Sequence, residues 1–382
     1  MNQGLWEFHM QWERPRYSRK VVRRAGKLLA FEDPVPFHID VDGHIERAAD
    51  LFRELNAQVV FNNWRSAHAY PLNTFKVTLR DRARRVDQEA LTAQRLKRSP
   101  SIIAKLRRFE NMDLARMQDI GGCRAIVRDI PAVYQLWHAF DTGRHRHILD
   151  DFKDYIEEPK EDGYRGIHLI YKYVGRGNGS VYNGLRIEVQ LRTQIQHAWA
   201  TAVETVDLFT RQAIKAGQGQ VQWREFFCVA SEAFSVLEHS EPMPMEERSR
   251  IKALLVDLSS QLDVFNRLHR YSEAVQLVEQ IKEASQYLLE LDLVNDELRV
   301  RGFTAKERDK AQKEYTEAEK RLGENGDVVL VSVENVNALR KAFPNYFADT
   351  TLFIATLDEV LAWESDEVNN LLIEWLSKRP EE

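Results

Sequence analysis

Two carboxylates stand where a sequence can place metal chemistry. In "LRIEVQLRT" (185–193) side chains alternate across a strand, so Leu185, Ile187, Val189 and Leu191 share one face while Arg186, Glu188, Gln190 and Arg192 share the other. An ordinary solvent-facing strand can display such a polar row as well. In "MQDIGGCRAIV" (117–127) Asp119 stands just ahead of a second apolar strand. A carboxylate entering one strand and a carboxylate within another can together hold a hard divalent cation, and magnesium takes one or two protein carboxylates with phosphate oxygens and water. Cations crowd the chain shortly before: "RLKRSPSIIAKLRRF" (95–109) carries Arg95, Lys97, Arg98, Lys105, Arg107 and Arg108. Alone this is a basic, solvated helix face. Beside a magnesium site it suits a ligand with several phosphates, because phosphoryl transfer rests on positioning and on charge neutralisation by metal, Lys and Arg. "FKDYIEEPKEDGYRGIHL" (152–169) adds Lys153, Lys160, Arg165, His168 and two tyrosines around a flexible "DGY".

The elements that must position these groups follow from periodicity. Residues 44–118 read as helical, with apolar residues three and four apart, a break at Pro71, arginine-rich polar faces and a turn at "SPSII" leading into a helix at Ser101. From "CRAIV" the period becomes two: "GIHLIYKYV" (166–174) and "LRIEVQLRT" read as strands separated by the turn "RGNGSVYNG". Helices followed by strands give an α+β or α/β core over about residues 44–210. Beyond it come helical text, a hairpin in "LLELDLVNDELRVRGF" with Glu290 and Asp292 opposing Arg299 and Arg301, and a capping box at Thr304 and Glu307. The strand "DVVLVSV", a helix from near Glu334 and two further segments complete a small ββαβα-like module.

Charge divides the chain. Residues 271–382 hold 13 Lys and Arg against 24 Asp and Glu, leaving 41 against 35 in the first 270 residues. A mildly basic body with an acidic tail is a common arrangement in proteins that bind nucleic acid or polyphosphate, although solvated charge gives the same totals. Two cysteines make neither a disulfide framework nor a zinc cluster, which points to a reducing cytoplasm. The first thirty residues hold seven basic groups and no continuous apolar core, so they do not read as a signal peptide, and no run reaches the length of a membrane span.

"RLKRSPSIIAKL", "MQDIGGCRAIV", "DYIEEPKEDGYRGIH" and "IEVQLRTQIQHAWATAVE", in this order, resemble the synthetase domain of the RelA/SpoT family. The resemblance implies a mixed β-sheet, nucleotidyltransferase-like core flanked by helices, and an enzyme that moves the β,γ-pyrophosphate of ATP to a ribose 3′-hydroxyl and releases AMP. It implies that Arg95 and Arg124 sandwich the adenine, that Lys97 and Lys105 hold the ATP phosphates, and that Asp119 and Glu188 bind Mg2+. Glu188 would also assist deprotonation of the attacking hydroxyl. On the acceptor side Tyr164 would stack on the base, with Lys153, Lys160, Arg165, His168, Gln190 and Arg192 around it. His197 stands where small members of the family place an asparagine, and Trp199 reads as core. The family's long members add a hydrolase with a His-Asp pair; this chain has no such dipeptide, and hydrolysis of the product is not expected.

Four blocks result: a basic arm at 1–43, the synthetase at 44–210, a helical connector at 211–285 and an acidic, zinc-free α+β domain at 286–382. A small acidic domain behind a synthetase resembles the CapRel fused toxin-antitoxin proteins of phage defence. That resemblance implies the 3′ CCA end of tRNA as acceptor and restraint by the tail until a phage component binds. The basic arm "RPRYSRKVVRR" agrees with an RNA acceptor. GDP or GTP as acceptor makes an alarmone synthetase instead, and an inactive nucleotide sensor is a third reading that the complete carboxylate and lysine set disfavours. Exposed aromatics in "PNYFADTTLFI" would mark a partner patch, with buried core the better reading.

Overall fold

Apolar spacing sets the first helices. In α1 (Arg19–Phe31) Val22, Ala25, Gly26, Leu29 and Ala30 are buried, and the arginines and lysines between them are exposed. Helix α2 (Ala48–Ala67) packs on α1 through Ala57, Val60, Phe61 and Trp64. The chain then breaks at His68, whose Nδ1 lies 2.8 Å from the Trp64 carbonyl, and restarts as α3 (Ala69–Val86) with Pro71 in its first turn, where a missing N–H costs nothing. The computed structural model describes residues 12–31, 48–97, 99–109, 111–143, 145–210, 221–239, 243–268, 284, 286–292, 295, 297–322, 326–332 and 350–363. They divide into two compact units, Met1–Lys153 with Ile167–Leu191, and Asp154–Gly166 with Arg192–Glu382.

The first unit is built on a mixed five-stranded sheet in the order β1-β2-β5-β4-β3, with β1 Leu91–Leu96, β2 Gly121–Val127, β3 Ile148–Asp154, β4 Ile167–Lys172 and β5 Arg186–Thr193. Residues 91–96 lie inside the stretch whose sequence reads as helix; they form an edge strand instead. Asp87 ends α3, its carboxylate accepting from the Glu89 and Arg128 amides, and the turn it makes lets Leu91–Leu96 pair antiparallel with β2. Helix α4 (Ser99–Arg108) starts two residues earlier than the sequence suggests, and α5 (Ile130–Asp141) is capped by Asp129, which accepts from the Ala132 amide at 2.8 Å. The strand Ile148–Asp154, with its "LDDFKD" text, was not legible as one. "RGNGSVYNG" is a 3-10 turn over Gly177–Tyr182.

The sheet has one dry face and one polar face. Cys123, Ala125, Val127, Leu169, Tyr171, Ile187, Val189 and Leu191 are buried on the first, beneath Leu72, Phe75 and Leu79 of α3 and Leu136 and Phe140 of α5. Each valine, leucine, isoleucine or phenylalanine among them contributes about 1.5–3 kcal/mol on burial. This fixes the register of β5, since a slip by one residue would turn Glu188 into the core.

In the second unit α6 (Gln194–Thr210), α7 (Val221–Glu238), α8 (Met245–Gln261) and the late helix Thr351–Leu361 share a core of Trp199, Trp223, Phe226, Phe227, Ile251, Leu255, Phe353 and Leu357. The unit's other part is a small sheet in the order β7-β6-β8 (β6 Gln286–Asp292, β7 Glu297–Phe303, β8 Gly326–Ser332) with α9 (Arg308–Leu322) on it; the late helix is α10. The capping box is present: Glu307 accepts from both the amide and the hydroxyl of Thr304. The hairpin departs from expectation in one pair. Glu290 opposes Arg299, but Asp292 opposes Glu297, and Glu290, 2% exposed, takes its ion pairs from Arg301 and Arg321. Two strands, α9 and β8 give ββαβ, and α10 packs among the large helices. The helix expected near Glu334, the "VNDE" turn residues 294 and 296, Arg98, and 344–349 of "PNYFADTTLFI" lie outside the described residues. Phe353 and Ile354 of that stretch are buried core.

Candidate active site

The polar face of the first unit's sheet gathers the residues assigned to ATP and metal. In the β1–β2 register Ala93 faces Arg124 and Arg95 faces Gly122, so both arginines project on one side. In the β4–β5 register His168 faces Gln190 and Ile170 faces Glu188. A Cβ on Gly122 would sit 3.7 Å from Glu188 Oε2, which places Glu188 on the same side as the two arginines.

Lys97 follows β1 directly, and its amide donates to the Ile120 carbonyl at 2.8 Å, fixing the strand end beside the approach to β2. Its Nζ reaches Asp119 Oδ2 at 3.1 Å, and Lys105 Nζ from α4 reaches the same oxygen at 2.9 Å. Asp119 Oδ1 is buried and has no hydrogen-bond partner among the described residues. Burial works against ionisation of Asp119, but Lys97 and Lys105 outweigh it and hold the carboxyl below its usual range. Glu188 is more strongly held. Burial again opposes the charge, and His168 Nδ1 at 3.1 Å, Gln190 Nε2 donating at 2.7 Å and the charge of Lys105 together bring its pKa down to about 2. Both carboxylates are therefore anions at neutral pH.

An orphaned buried oxygen on Asp119 and an ionised Glu188 suit a hard cation; among the described residues no cluster of three or more His, Cys, Asp or Glu offers a complete protein cage. Two carboxylates and no more is the donor set expected for magnesium that keeps water and takes phosphate oxygens. Arg186, at the start of the polar row, is otherwise engaged: with Lys172 it holds Asp150, whose pKa is lowered below the usual range, burial opposing and the two cations prevailing. Lys153 is exposed, 3.8 Å from Asp151.

The second unit holds Lys160, Tyr164, Arg165 and Arg192 of the residues expected at the acceptor. The segment 154–166 folds back on itself: the Gly163 amide donates to the Lys160 carbonyl, the Lys160 amide to the Tyr164 carbonyl, and the Tyr164 amide to Asp162 Oδ1 at 3.0 Å. Lys160 Nζ stands 4.5 Å from the Tyr155 ring centre and 4.8 Å from that of Tyr164. Arg192 donates from Nε to the Tyr164 hydroxyl at 3.0 Å, with its guanidinium 4.9 Å from the ring centre. Tyr164, Arg192, Trp199, Arg224, Phe227 and Asp162 line an open pocket. Arg165 is turned away to Ser231 Oγ (3.3 Å) and the Ile156 carbonyl (3.2 Å). His197 is half-buried on α6, and Trp199 is core, donating to the Phe227 carbonyl at 2.8 Å.

Several supporting residues were not singled out from sequence. Thr193 and Gln196 form a reciprocal capping box at the start of α6, each side chain accepting from the other's amide, and Glu238 of α7 accepts from both. "TQIQ" carries that signal in plain view. Ser231, Arg224 and Glu238 lie in helical text whose only legible feature is amphipathicity.

Residues 94–207 match the family model described as the region found in RelA / SpoT proteins, and this segment is a RelA/SpoT-type domain. Among curated proteins the chain is 36% identical over 112 residues to the GTP pyrophosphokinase YjbM of Bacillus subtilis (28% of this chain, 51% of the relative). It is 32% identical over 116 residues to GTP pyrophosphokinase YwaC of the same organism (29% and 54%), and 26% identical over 198 residues to the uncharacterised protein Mb1401 of Mycobacterium bovis (50% and 59%). The chain thus spans about half the length of these relatives. Among solved structures it is similar to small alarmone synthetase 1 of Bacillus subtilis bound to its product pppGpp, at 26% identity and a TM-score of 0.38, covering 49% of this chain and 93% of that one.

Proposed function

We propose that this chain is an ATP-dependent pyrophosphotransferase. The observation that carries the reading is the Asp119 and Glu188 pair with Lys97 and Lys105 on one carboxylate and His168 on the other. In the reaction an acceptor ribose 3′-oxygen attacks the β-phosphorus of ATP, the bond from that phosphorus to the oxygen bridging to the α-phosphate breaks, and AMP leaves with that oxygen. The hydroxyl proton passes to solvent. Asp119 and Glu188 would hold Mg2+, which supplies charge neutralisation on the phosphates when bound. Lys97 and Lys105, satisfied by Asp119 without ligand, repartner with the phosphates. Arg95 and Arg124 flank the adenine.

A carboxylate with a pKa near 2 is a poor proton acceptor at neutral pH, because a general base works best with a pKa near the operating pH. Glu188 therefore acts chiefly as an anion that orients and binds. Tyr164 offers its ring to the acceptor base, supported by Lys160 and Arg192.

The acceptor we favour is the 3′ end of tRNA, whose modification blocks aminoacylation. Its support is the exposed cationic side of α1, with Arg19, Lys20, Arg23, Arg24 and Lys27, since phosphate neutralisation dominates RNA affinity. The surplus of 24 acids over 13 bases in residues 271–382 suits a restraining segment that competes with RNA, released by a phage component. The names of the relatives favour a second reading, GDP or GTP as acceptor. ATP labelled in its γ-phosphate, offered separately with GDP, GTP and bulk tRNA, decides between them by where the label goes. No transfer to any of the three would leave a nucleotide-binding module and refute the enzyme.

A further inference from the structure

Tyr164 is fixed from a place that the RelA/SpoT-type domain does not include. The family match ends at residue 207, and α7 begins at Val221. Gly163, at φ +87°, lies against α7 so closely that a Cβ there would sit 3.0 Å from Ser231 Cβ, 3.1 Å from Cys228 Cα and 3.3 Å from the Phe227 carbonyl oxygen. Both the positive φ and the contact require glycine. Ser231, 4% exposed, donates its hydroxyl proton to the Gly163 carbonyl and accepts from Arg165 Nε at 3.3 Å. One hydroxyl has the donor and the acceptor capacity for both bonds. They fall on the residues immediately before and after Tyr164. Arg165 then closes the segment through the Ile156 carbonyl, and Tyr164 itself packs against Trp199 with ring centres 6.4 Å apart.

We propose that Ser231 is a positioning residue for the acceptor: by tying Gly163 and Arg165 to α7 it sets how the Tyr164 ring is presented, so acceptor affinity depends on a helix outside the matched domain. The inference rests on the acceptor reading of Tyr164. Removing the hydroxyl leaves the Gly163 carbonyl and the Arg165 Nε–H without that partner and gives the segment freedom that acceptor binding must then remove. ATP contacts none of these groups in the assignment above.

The test compares Ser231→Ala with wild type and with Cys228→Ala, a change one helical turn away that removes only a long sulfur contact to the Glu161 carbonyl (3.8 Å). The acceptor KM should rise about tenfold in Ser231→Ala, equivalent to roughly 1.4 kcal/mol. kcat at saturating acceptor and affinity for a non-hydrolysable ATP analogue should stay within about twofold, the scatter expected of a site left intact. Hydrogen exchange should quicken in a peptide spanning 157–166 and not in α8. An unchanged acceptor KM, an equal loss of ATP affinity, an equal effect of Cys228→Ala, or faster exchange throughout the helices would each overturn the proposal. If wild type transfers to no acceptor, the enzymatic reading fails by itself, and the exchange comparison still decides whether Ser231 holds the segment.

Discussion

Replacing Glu188 with glutamine separates charge from shape. The carboxylate accepts from His168 at Oε1 and from Gln190 at Oε2; an amide has one oxygen to offer and turns a donor toward the other partner. A charge-assisted hydrogen bond contributes about 1.5–3 kcal/mol. The same bonds bring the pKa from 4.5 down to about 2, which corresponds to roughly 3 kcal/mol of preference for the ionised form in the folded state. This contribution is fully present above the unfolded pKa, declines as pH falls below it, and is lost as pH passes through the folded value. Linkage leaves less than half of it at pH 3, so the stability gap between wild type and Glu188→Gln should narrow by about 2 kcal/mol between pH 7 and pH 3. Urea unfolding at the two pH values measures the gap, and transfer of labelled pyrophosphate at pH 7 measures function. We expect a folded variant with transfer reduced by at least about a hundredfold, the loss typical of removing an electrostatic group from an active site. A gap that does not change with pH would show that Glu188 is not held ionised by His168 and Gln190, and transfer near the wild-type rate would remove it from the site.

Asp119→Asn should weaken magnesium-dependent binding of an ATP analogue by about tenfold or more while costing only about 1–2 kcal/mol of stability, since the two lysine pairs it loses are partly solvated; calorimetric titration with and without magnesium checks this, and an unchanged magnesium dependence refutes it. Tyr164→Ala should raise the acceptor KM by about tenfold to a hundredfold, as loss of one stacking platform worth 1–3 kcal/mol implies, with ATP-analogue affinity unchanged; parallel loss of both would put Tyr164 at the donor nucleotide.

Alternation made the sheet legible. Ile187, Val189 and Leu191 at 0% exposure, with Glu188 and Gln190 on the opposite face, need only the two-residue period of a strand and a dry side to pack on. The strand Leu91–Leu96 was hidden because "LTAQRL" has helix-forming residues on both sides of a turn made by one aspartate, and its strand state comes from pairing with β2, a contact distant in sequence. The tail hairpin shows the same limit: side-chain spacing suggested cross-strand pairs, and Arg301 does meet Glu290, but the second partner of this buried carboxylate is Arg321 from α9, which no local pattern announces. Ser231 and Glu238 were illegible for that reason too, since their bonds go to residues 68 and 45 positions away.

The charges around the carboxylates explain why the proposed site can rest without ligand. Asp119 carries one negative charge against two lysine ammonium groups, and Glu188 a second beside the His168 ring, so the face holds its lysines in place on a fixed anion. Those pairs cost little to exchange, because each lysine side chain is still 22–28% exposed and water can follow it. When Lys105 turns to a phosphate it stops lowering the pKa of Glu188, to which its charge contributes less than His168 and Gln190 do, so a ligand that draws Lys105 away from Asp119 is also felt at Glu188. That coupling has a measurable sign: on the proposed chemistry, Lys105→Ala should raise the Glu188 pKa in the ligand-free protein. Carboxyl carbon NMR titration of Glu188 reads this directly, and a pKa that stays near 2 in the variant would show that His168 and Gln190 alone set it, leaving ligand binding without influence on Glu188 through Lys105.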